Sequence, residues 1–501
     1  MLELLISGFE VVFQPMTFIL ILAGTVLGVI FGALPGVSAS MAVALGLPFA
    51  YGMQPLVAIA FLTSVYCASI TGGGITAILF KIPGTPSNAP TTFDGYPMAQ
   101  RGEAGKALGI SLVTSAIGGT VAAIAMFLLS PQLAAVAIKF GPSELFAVSF
   151  LGLSVLTALD SDNIVKTLIS GLIGLFLATI GMDPLLGIPR FTWGNQMLLS
   201  GIEMIPLMIG MFAITEVLKQ THKPSKLQNT GSGDKVKTKL MGFKEGWAMR
   251  GVIARSSILG TMVGILPGAG ATIASFLSYT TEVKLSKTPE KFGTGCSEGI
   301  AASETANNAA TGGAMVPMLA LGIPGGNAAA IMMSALVLKG VQVGPLLIKT
   351  QPQFLSSVFA SMMVTNVIMV IISMAIAKVF SKILKVPYSI LGTTIILLAT
   401  IGSFALKGNT NDVILMAIAG LVGFVLNKYK FSSAALILGL VLGGMTEANL
   451  RRAVTLENGN LVNVLTKPIT ASLLVACAAM LLTPVILDWI KKNRDKSAPV
   501  N

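Results

Sequence analysis

The sequence predicts an all-α polytopic membrane protein of roughly 10–12 spans, built as two inverted-topology repeats with broken, re-entrant helices. Three observations predict it. The chain is 53% hydrophobic and 11% charged, with a mean hydropathy of +0.82, whereas a soluble domain spends about a quarter of its residues on charge. Apolar runs long enough to cross roughly 30 Å of hydrocarbon recur down the chain. Gly/Pro breaks return in the same order in both halves. Because the apolar runs are continuous rather than alternating, a transmembrane β-barrel is excluded.

Apolar segments fall near 17–34, 54–80, 106–130, 132–158, 164–182 and 200–218. They resume near 252–280, 311–338, 355–377, 387–405, 411–427, 432–446 and 468–490. The intervening stretch is rich in Lys, Gly, Ser and Thr and reads as a connector rather than a folded domain. The expected division is a first repeat over 1–218, a basic connector over 219–254, a second repeat over 255–450, and an extra helix with a basic tail over 451–501.

Charge gives the orientation. The net charge of +12 is concentrated at predicted span ends, which points to the lipid boundary and not to nucleic acid. No Lys or Arg precedes Lys81, while a basic block runs from Lys219 to Arg255 and another from Lys491 to Lys496. Such clusters mark cytoplasmic loops. The N-terminus is therefore expected in the periplasm and the C-terminus in the cytoplasm of a bacterial inner membrane. Glu3 and Glu10, with no basic residue near them, argue against a cleaved signal peptide. If the first half begins outside and the second inside, the halves are inverted.

Several chemistries are excluded. Cys67, Cys296 and Cys477 lie far apart, which speaks against a disulfide framework or a C-x-x-C metal site. The single histidine, His222, sits in a polar stretch, so neither a metalloprotease nor a Ser-His hydrolase has its base in the right place. No phosphate loop of the G-x-x-x-x-G-K-[ST] type exists. The chain is read as no enzyme and as having no cofactor beyond a coupling Na⁺ or H⁺, with energy drawn from a gradient or another subunit.

The repeat locates the chemistry. Gly32-Ala-Leu-Pro-Gly36 returns as Gly264-Ile-Leu-Pro-Gly268, an offset of 232 residues (264 − 32). Thr71-Gly-Gly-Gly74 is matched to Thr311-Gly-Gly-Ala314, and Ile82-Pro-Gly84 with Asn88 to Ile323-Pro-Gly325 with Asn327. A break at membrane depth exposes backbone groups that protein, water or ligand has to cover. The N-terminal end of a half-helix offers N–H donors and about +0.5 charge, which suits a carboxylate, while exposed carbonyls suit a cation. Hinges or close packing of small residues are the alternative reading of any one break.

The segment from Ser297 to Ala314 is the richest. On a helix, Ser303, Asn307 and Thr311 share one face, with Glu304, Asn308 and Gly312 in the adjacent row. A polar stripe among Ala and Gly reads as a pathway lining; a polar surface in a loop is the competing view. The candidate solute-binding residues are Leu34, Pro35, Gly36, Ser38, Thr71, Gly72, Gly73, Pro83, Gly84, Asn88, Leu266, Pro267, Gly268, Ser303, Asn307, Asn308, Thr311, Gly312, Pro324, Gly325 and Asn327. Glu304, Thr71 and Thr311 are the candidates for cation coupling. Ser87, Thr91 and Thr92 add uncharged donors near the first break, Lys81 reads as a helix-end residue, and Asp94-Gly95-Tyr96-Pro97 reads as a turn.

These residues resemble a known family. Gly32 to Gly36, the stretch from Gly84 through Asp94-Gly95-Tyr96-Pro97 to Gly105-Lys106-Ala107-Leu108-Gly109, Gly264 to Gly268, and Ser303 to Gly325 are similar to the large membrane subunit of tripartite tricarboxylate transporters. One departure, Pro86-Ser87-Asn88 where many relatives have Pro-Gly-Ser, bears on solute identity. The resemblance implies a small membrane subunit and a periplasmic solute-binding protein as partners. It also implies cation-driven import of citrate-like di- or tricarboxylates. A stand-alone carrier for another organic acid or amino acid, an intramembrane enzyme and a structural subunit are the other readings.

Overall fold

The computed structural model describes residues 2–34, 37–159, 164–183, 187–222, 239–266, 270–383, 388–479 and 481. The first half runs α1 (Leu2–Val12), α2 (Pro15–Ala33), α3 (Ala39–Tyr51), α4 (Pro55–Phe80), α5 (Thr91–Met98), α6 (Ala104–Ala137), α7 (Pro142–Leu159) and α8 (Ile164–Ala178). A two-residue antiparallel hairpin, β1 (Gly181–Met182) and β2 (Pro189–Arg190), comes next, with Gly181 opposite Arg190. Then come α9 (Met204–Ile209), α10 (Thr215–His222), α11 (Phe243–Ala248), α12 (Arg250–Ile265), α13 (Gly270–Leu285), α14 (Ser297–Leu321) and α15 (Asn327–Leu338). The chain continues through α16 (Pro345–Thr350), α17 (Gln353–Ile383), α18 (Tyr388–Lys407), α19 (Thr410–Lys428), α20 (Ser433–Leu456) and α21 (Leu461–Thr466).

In hydrocarbon only helices satisfy every backbone group within one segment, and the described residues are helical almost throughout. Among them, five helical stretches are long and apolar enough to span a bilayer: Pro15–Ala33, Pro55–Phe80, Thr91–Ala137, Gln353–Lys378 and Thr410–Lys428. Shorter apolar helices such as Ala39–Tyr51 and Asn327–Leu338 follow the breaks. This is an all-α, multi-pass membrane protein.

Two compact units form, each built from two separate stretches of the sequence. The first comprises 1–135 and 205–424, the second 136–204 and 425–501. In the first, α4 and α14 are the most deeply buried helices; from Ala58 to Leu79 and from Gly299 to Ala320 every residue is buried. Packed on α4 are α2, α3 and α17, and on α14 are α12 and α13. In the second unit α20 packs on α7 and α8. There, Arg190 and Arg451 bridge Asp183 and Glu447 at 2.5–3.5 Å, tying the hairpin to α20.

The internal repeat is written in close backbone contacts. A methyl group added at Gly28 would overlap the Val65 carbonyl, and one at Gly260 the Ala306 carbonyl. Gly32 presses in the same way on Ser69 and Gly264 on Ala310, while Gly72 presses on Val29 and Gly313 on Thr261. Small residues let helix backbones approach this closely where lipid supplies no hydrophobic drive. The ends match too. Leu34 and Leu266 leave α2 and α12 at φ/ψ of −78°/121° and −72°/119°. α4 and α14 both stop on a left-handed residue, Lys81 (φ 58°) and Gly322 (φ 72°), followed by an N–H returning six residues back: Ile82 to Thr76 and Ile323 to Pro317.

This packing corrects the sequence register by one residue. The offset between α4 and α14 is 241 (322 − 81), so Gly72 answers to Gly313 and Thr71 to Gly312, not to Thr311. Asn327 answers to Pro86, not to Asn88. The segments 252–280 and 311–338 are each divided at the expected breaks into two helices, because a chain leaving the helix at Leu266 or Gly322 cannot keep its i→i−4 bonding. Conversely, α6 runs on through Pro131, where an end was expected, since a membrane helix tolerates the one lost hydrogen bond.

Candidate functional site

The predicted stripe is a buried face, not a loop surface. Ser303, Glu304, Asn307, Asn308 and Thr311 all lie on α14 and are 0–1% exposed. Against it lies the segment from Thr85 to Asp94, delivered there by the first break: Gly84 N–H donates to the Gly73 carbonyl at 3.2 Å, folding the chain back along α4. A short 3₁₀ turn at Pro86–Asn88 and then α5 place residues 88, 91 and 94 at threefold spacing toward α14.

Glu304 is the hub. Its Oε1 accepts from Asn88 Nδ2 at 2.9 Å and from Thr91 Oγ1 at 2.5 Å, and its Oε2 accepts from Ser115 Oγ on α6 at 3.1 Å. Thr91 also meets the Ser303 hydroxyl at 3.0 Å, and Asn307 Nδ2 donates to the Ser87 carbonyl at 3.5 Å. Deeper along α14, Thr71 donates to Asn308 Oδ1 at 2.8 Å and Thr311 lies 3.7 Å from the Cys67 thiol. Gly74 leaves the room Glu304 needs, since a Cβ there would sit 3.1 Å from its Oε1.

The partners of Glu304 are all neutral. A carboxylate taken out of water is costly unless hydrogen-bonded and balanced by positive charge. Here three donors are present, but no described Lys, Arg or His forms an ion pair with it. Among the described residues no cluster of three or more His, Cys, Asp and Glu forms a metal site. What remains is a neutral hydroxyl-and-amide lining around one acid, suited to a proton or a monovalent cation and to the oxygens of a polar solute.

The candidates divide cleanly. Thr71, Asn88, Ser303, Glu304, Asn307, Asn308 and Thr311 come together. Gly73 and Gly84 serve them by close approach: Gly73 leaves space for Asn88, and Gly84 lies against Gly73. Gly72, Gly312 and Gly325 pack on Val29, Ala122 and Ala314, which are helix contacts, and Pro83 and Pro324 shape the two breaks. Three residues stand apart. Ser38 caps α3 by accepting from Met41 N–H at 3.1 Å, Leu266 is 53% exposed, and Asn327 opens α15 without a hydrogen bond to the cluster. Pro35, Gly36, Pro267 and Gly268 lie outside the described residues, while Leu34 is buried.

Asp94 overturns its sequence reading. It is not in a turn but inside α5 and fully buried, because Gly95 lets α5 press on Ile78 and brings the carboxylate to the loop before α14. Thr91, read from the sequence as a donor near the first break, is a partner of Glu304, whereas Ser115 is a partner that the sequence does not single out; one hydroxyl on an apolar helix gives no periodic signal.

Residues 18–438 match the tripartite tricarboxylate transporter TctA family. This chain belongs to that family. The TctA match takes in every residue of the Glu304 cluster, and it makes the chain a membrane subunit of a tricarboxylate transporter, not an enzyme. A protein of Agrobacterium vitis described as an uncharacterized 52.8 kDa protein in the TAR-I ttuC' 3' region is 37% identical over 493 residues, covering 98% of this chain and 97% of its own. Another from the same organism, an uncharacterized protein in the TAR-II ttuC' 3' region, is 39% identical over 230 residues, covering 45% of this chain and 95% of its own. No solved structure matches.

Proposed function

We propose that this TctA-family subunit forms the translocation pathway of a cation-coupled importer of citrate-like di- and tricarboxylates in the bacterial inner membrane. It works with a small membrane subunit and a periplasmic solute-binding protein, its N-terminus periplasmic and its C-terminus cytoplasmic. The observation that carries the proposal is Glu304: a fully buried carboxyl on a polar helix face, surrounded by neutral donors.

Among the described residues no basic side chain pairs with Glu304, and this gives the coupling its logic. A multiply charged solute approaching Glu304 adds like charge in a medium where charge is poorly screened. A Na⁺ or H⁺ taken up at Glu304, with the Thr91 and Ser115 hydroxyl oxygens beside it, removes that repulsion, and the amides of Asn307 and Asn308 and the Thr311 hydroxyl exchange their present bonds for solute carboxylates. Binding of cation and solute thus favour each other, which is the requirement for symport. The two repeats, inverted in the bilayer, alternate access around this face near its midplane.

The test is uptake of labelled citrate into cells expressing the chain and a small subunit, with and without the binding protein, in Na⁺ and in Na⁺-free buffer at two pH values. Uptake that needs the binding protein and one cation gradient, and that disappears in E304Q, is expected. Uptake unaffected by E304Q refutes the role given to this cluster. Uptake independent of the binding protein refutes the tripartite arrangement and leaves a stand-alone carrier.

A further inference from the structure

The Glu304 cluster continues outward into a contact that the transport reading does not use. Asp94 Oδ1 accepts three backbone N–H groups of the loop that leads into α14: Gly293 at 2.8 Å, Gly295 at 2.9 Å and Cys296 at 2.8 Å. Its Oδ2 accepts from the Tyr279 hydroxyl at 2.9 Å. The carboxylate therefore ties α5 to the loop that leads into α14, beside the positive end of that helix. Arg101, half-exposed on the same side, donates to the carbonyls of Thr294 and Gly295 at 2.7 and 2.9 Å. Phe93, Tyr279 and Phe292 form an aromatic collar around the carboxylate, with ring centroids 5.4–5.7 Å apart.

Two glycines make the contact possible. A Cβ at Gly299 would run into Asp94 Oδ2, and one at Gly295, where φ is 107°, into the Arg101 guanidinium. Between this contact and the interior there is an ordered sequence of partners. Asp94 meets residues 293–296, Thr91 meets Ser303 and Glu304, Asn88 meets Glu304, and Ser87 meets Asn307. As one strand of partners descends from 94 to 87, the other climbs from 293 to 307. It is an antiparallel zipper, and its outer end adjoins the exposed loop residues Thr294 and Lys291.

We infer that Asp94 is the latch of this zipper: its bonds to the 293–296 loop hold the outer end of the pathway shut, and their release opens α14 to water from that end. Asp94 is a positioning residue, with no contact to Glu304 and none proposed with solute. The inference rests on reading the polar face of α14 as the pathway, but it is tested by thiol access and not by uptake.

Cys67 is the reporter. It is 1% exposed and lies against Thr311 at the inner end of the zipper. With Cys296 and Cys477 replaced by Ser, Cys67 is the sole thiol, and its modification by a charged, water-soluble methanethiosulfonate is followed in membranes. The parent is expected to react slowly. D94N, which weakens the acceptor, and G299A, which displaces it while improving helix propensity, are each expected to raise the rate about tenfold, the equivalent of about one lost charge-assisted bond. R101A, which loosens only the loop carbonyls, gives a smaller rise. Parental rates in G299A and R101A overturn the latch even where D94N does not fold. A matching rise at Cys477, assayed as sole thiol in the second unit, also overturns it, because it reports general loosening. Failure of citrate uptake with the latch result intact would refute the solute and leave the latch in place.

Discussion

α4 and α14 occupy the same frame and carry opposite chemistry. Both are buried along their lengths, both are gripped by the glycines of a preceding helix, and both end on a left-handed residue before Ile-Pro-Gly. At the register set by those contacts, Ser303, Glu304, Asn307, Asn308 and Thr311 on α14 correspond to Leu62, Thr63, Tyr66, Cys67 and Ile70 on α4. Beyond the breaks the polarity is reversed: Asn88, Thr91 and Asp94 correspond to Ala329, Met332 and Ala335. The two halves share the helix contacts and divide the site, one half supplying the polar helix and the other the polar segment after the break. A symmetric frame thus builds an asymmetric cluster with a single acid at its centre.

The sharpest way to break this comparison is at the acid and its counterpart. E304Q should lower citrate uptake roughly 100-fold, the loss expected when charge-assisted bonds worth about 2–3 kcal/mol are removed. T63V should leave uptake unchanged, because the Thr63 hydroxyl is buried without a partner. Equal losses would show that both helices carry the function. Next come the shared contacts. Gly32→Leu and Gly264→Leu should each destabilise the purified protein by about 1–3 kcal/mol, as overpacking does, with matched shifts in thermal unfolding. A large shift in one alone would undo the structural equivalence of the halves. N88A, which takes one donor from Glu304, should cost about tenfold in uptake, while A329N at the equivalent position should neither harm nor rescue. The smallest effect is expected between Thr71 and Asn308, where a double-mutant cycle of T71V and N308A on unfolding should give about 0.6 kcal/mol, the usual yield of such a bond within a membrane. No coupling there would remove Thr71 from the cluster.

Much of this architecture is legible in the amino-acid sequence. Hydropathy shows the helices, since lipid admits little else, and the i, i+4 recurrence of Ser303, Asn307 and Thr311 shows the polar face of α14. The breaks are legible because Pro and Gly mark them. What stays hidden depends on folding at a distance. Asp94 reads as a turn because its neighbours Gly95 and Pro97 are turn formers, yet its partners lie about 200 residues away in the 293–296 loop. Ser115 has no local pattern. The one-residue slip between Thr71 and Thr311 arises because identical letters suggest one register, whereas the helices are aligned by which glycine presses on which carbonyl. Ser38 and Asn327 lie close to a break in the sequence, but each sits at the start of a helix and takes no part in the cluster.

The second unit has its own history on the ribosome. Its segment 136–204 is made early, but α20, on which α7 and α8 pack, starts about 230 residues later, at Ser433. At synthesis rates of about 5–20 residues per second, that interval lasts roughly 10–45 s. Throughout it the hairpin holds Asp183 and Arg190 without Glu447 and Arg451, half of the charge cluster. The first unit is likewise unfinished until Phe424 has been made. A ribosome that stops before residue 433 therefore leaves the faces of α7 and α8 that pack on α20 uncovered, the kind of species that membrane quality control removes.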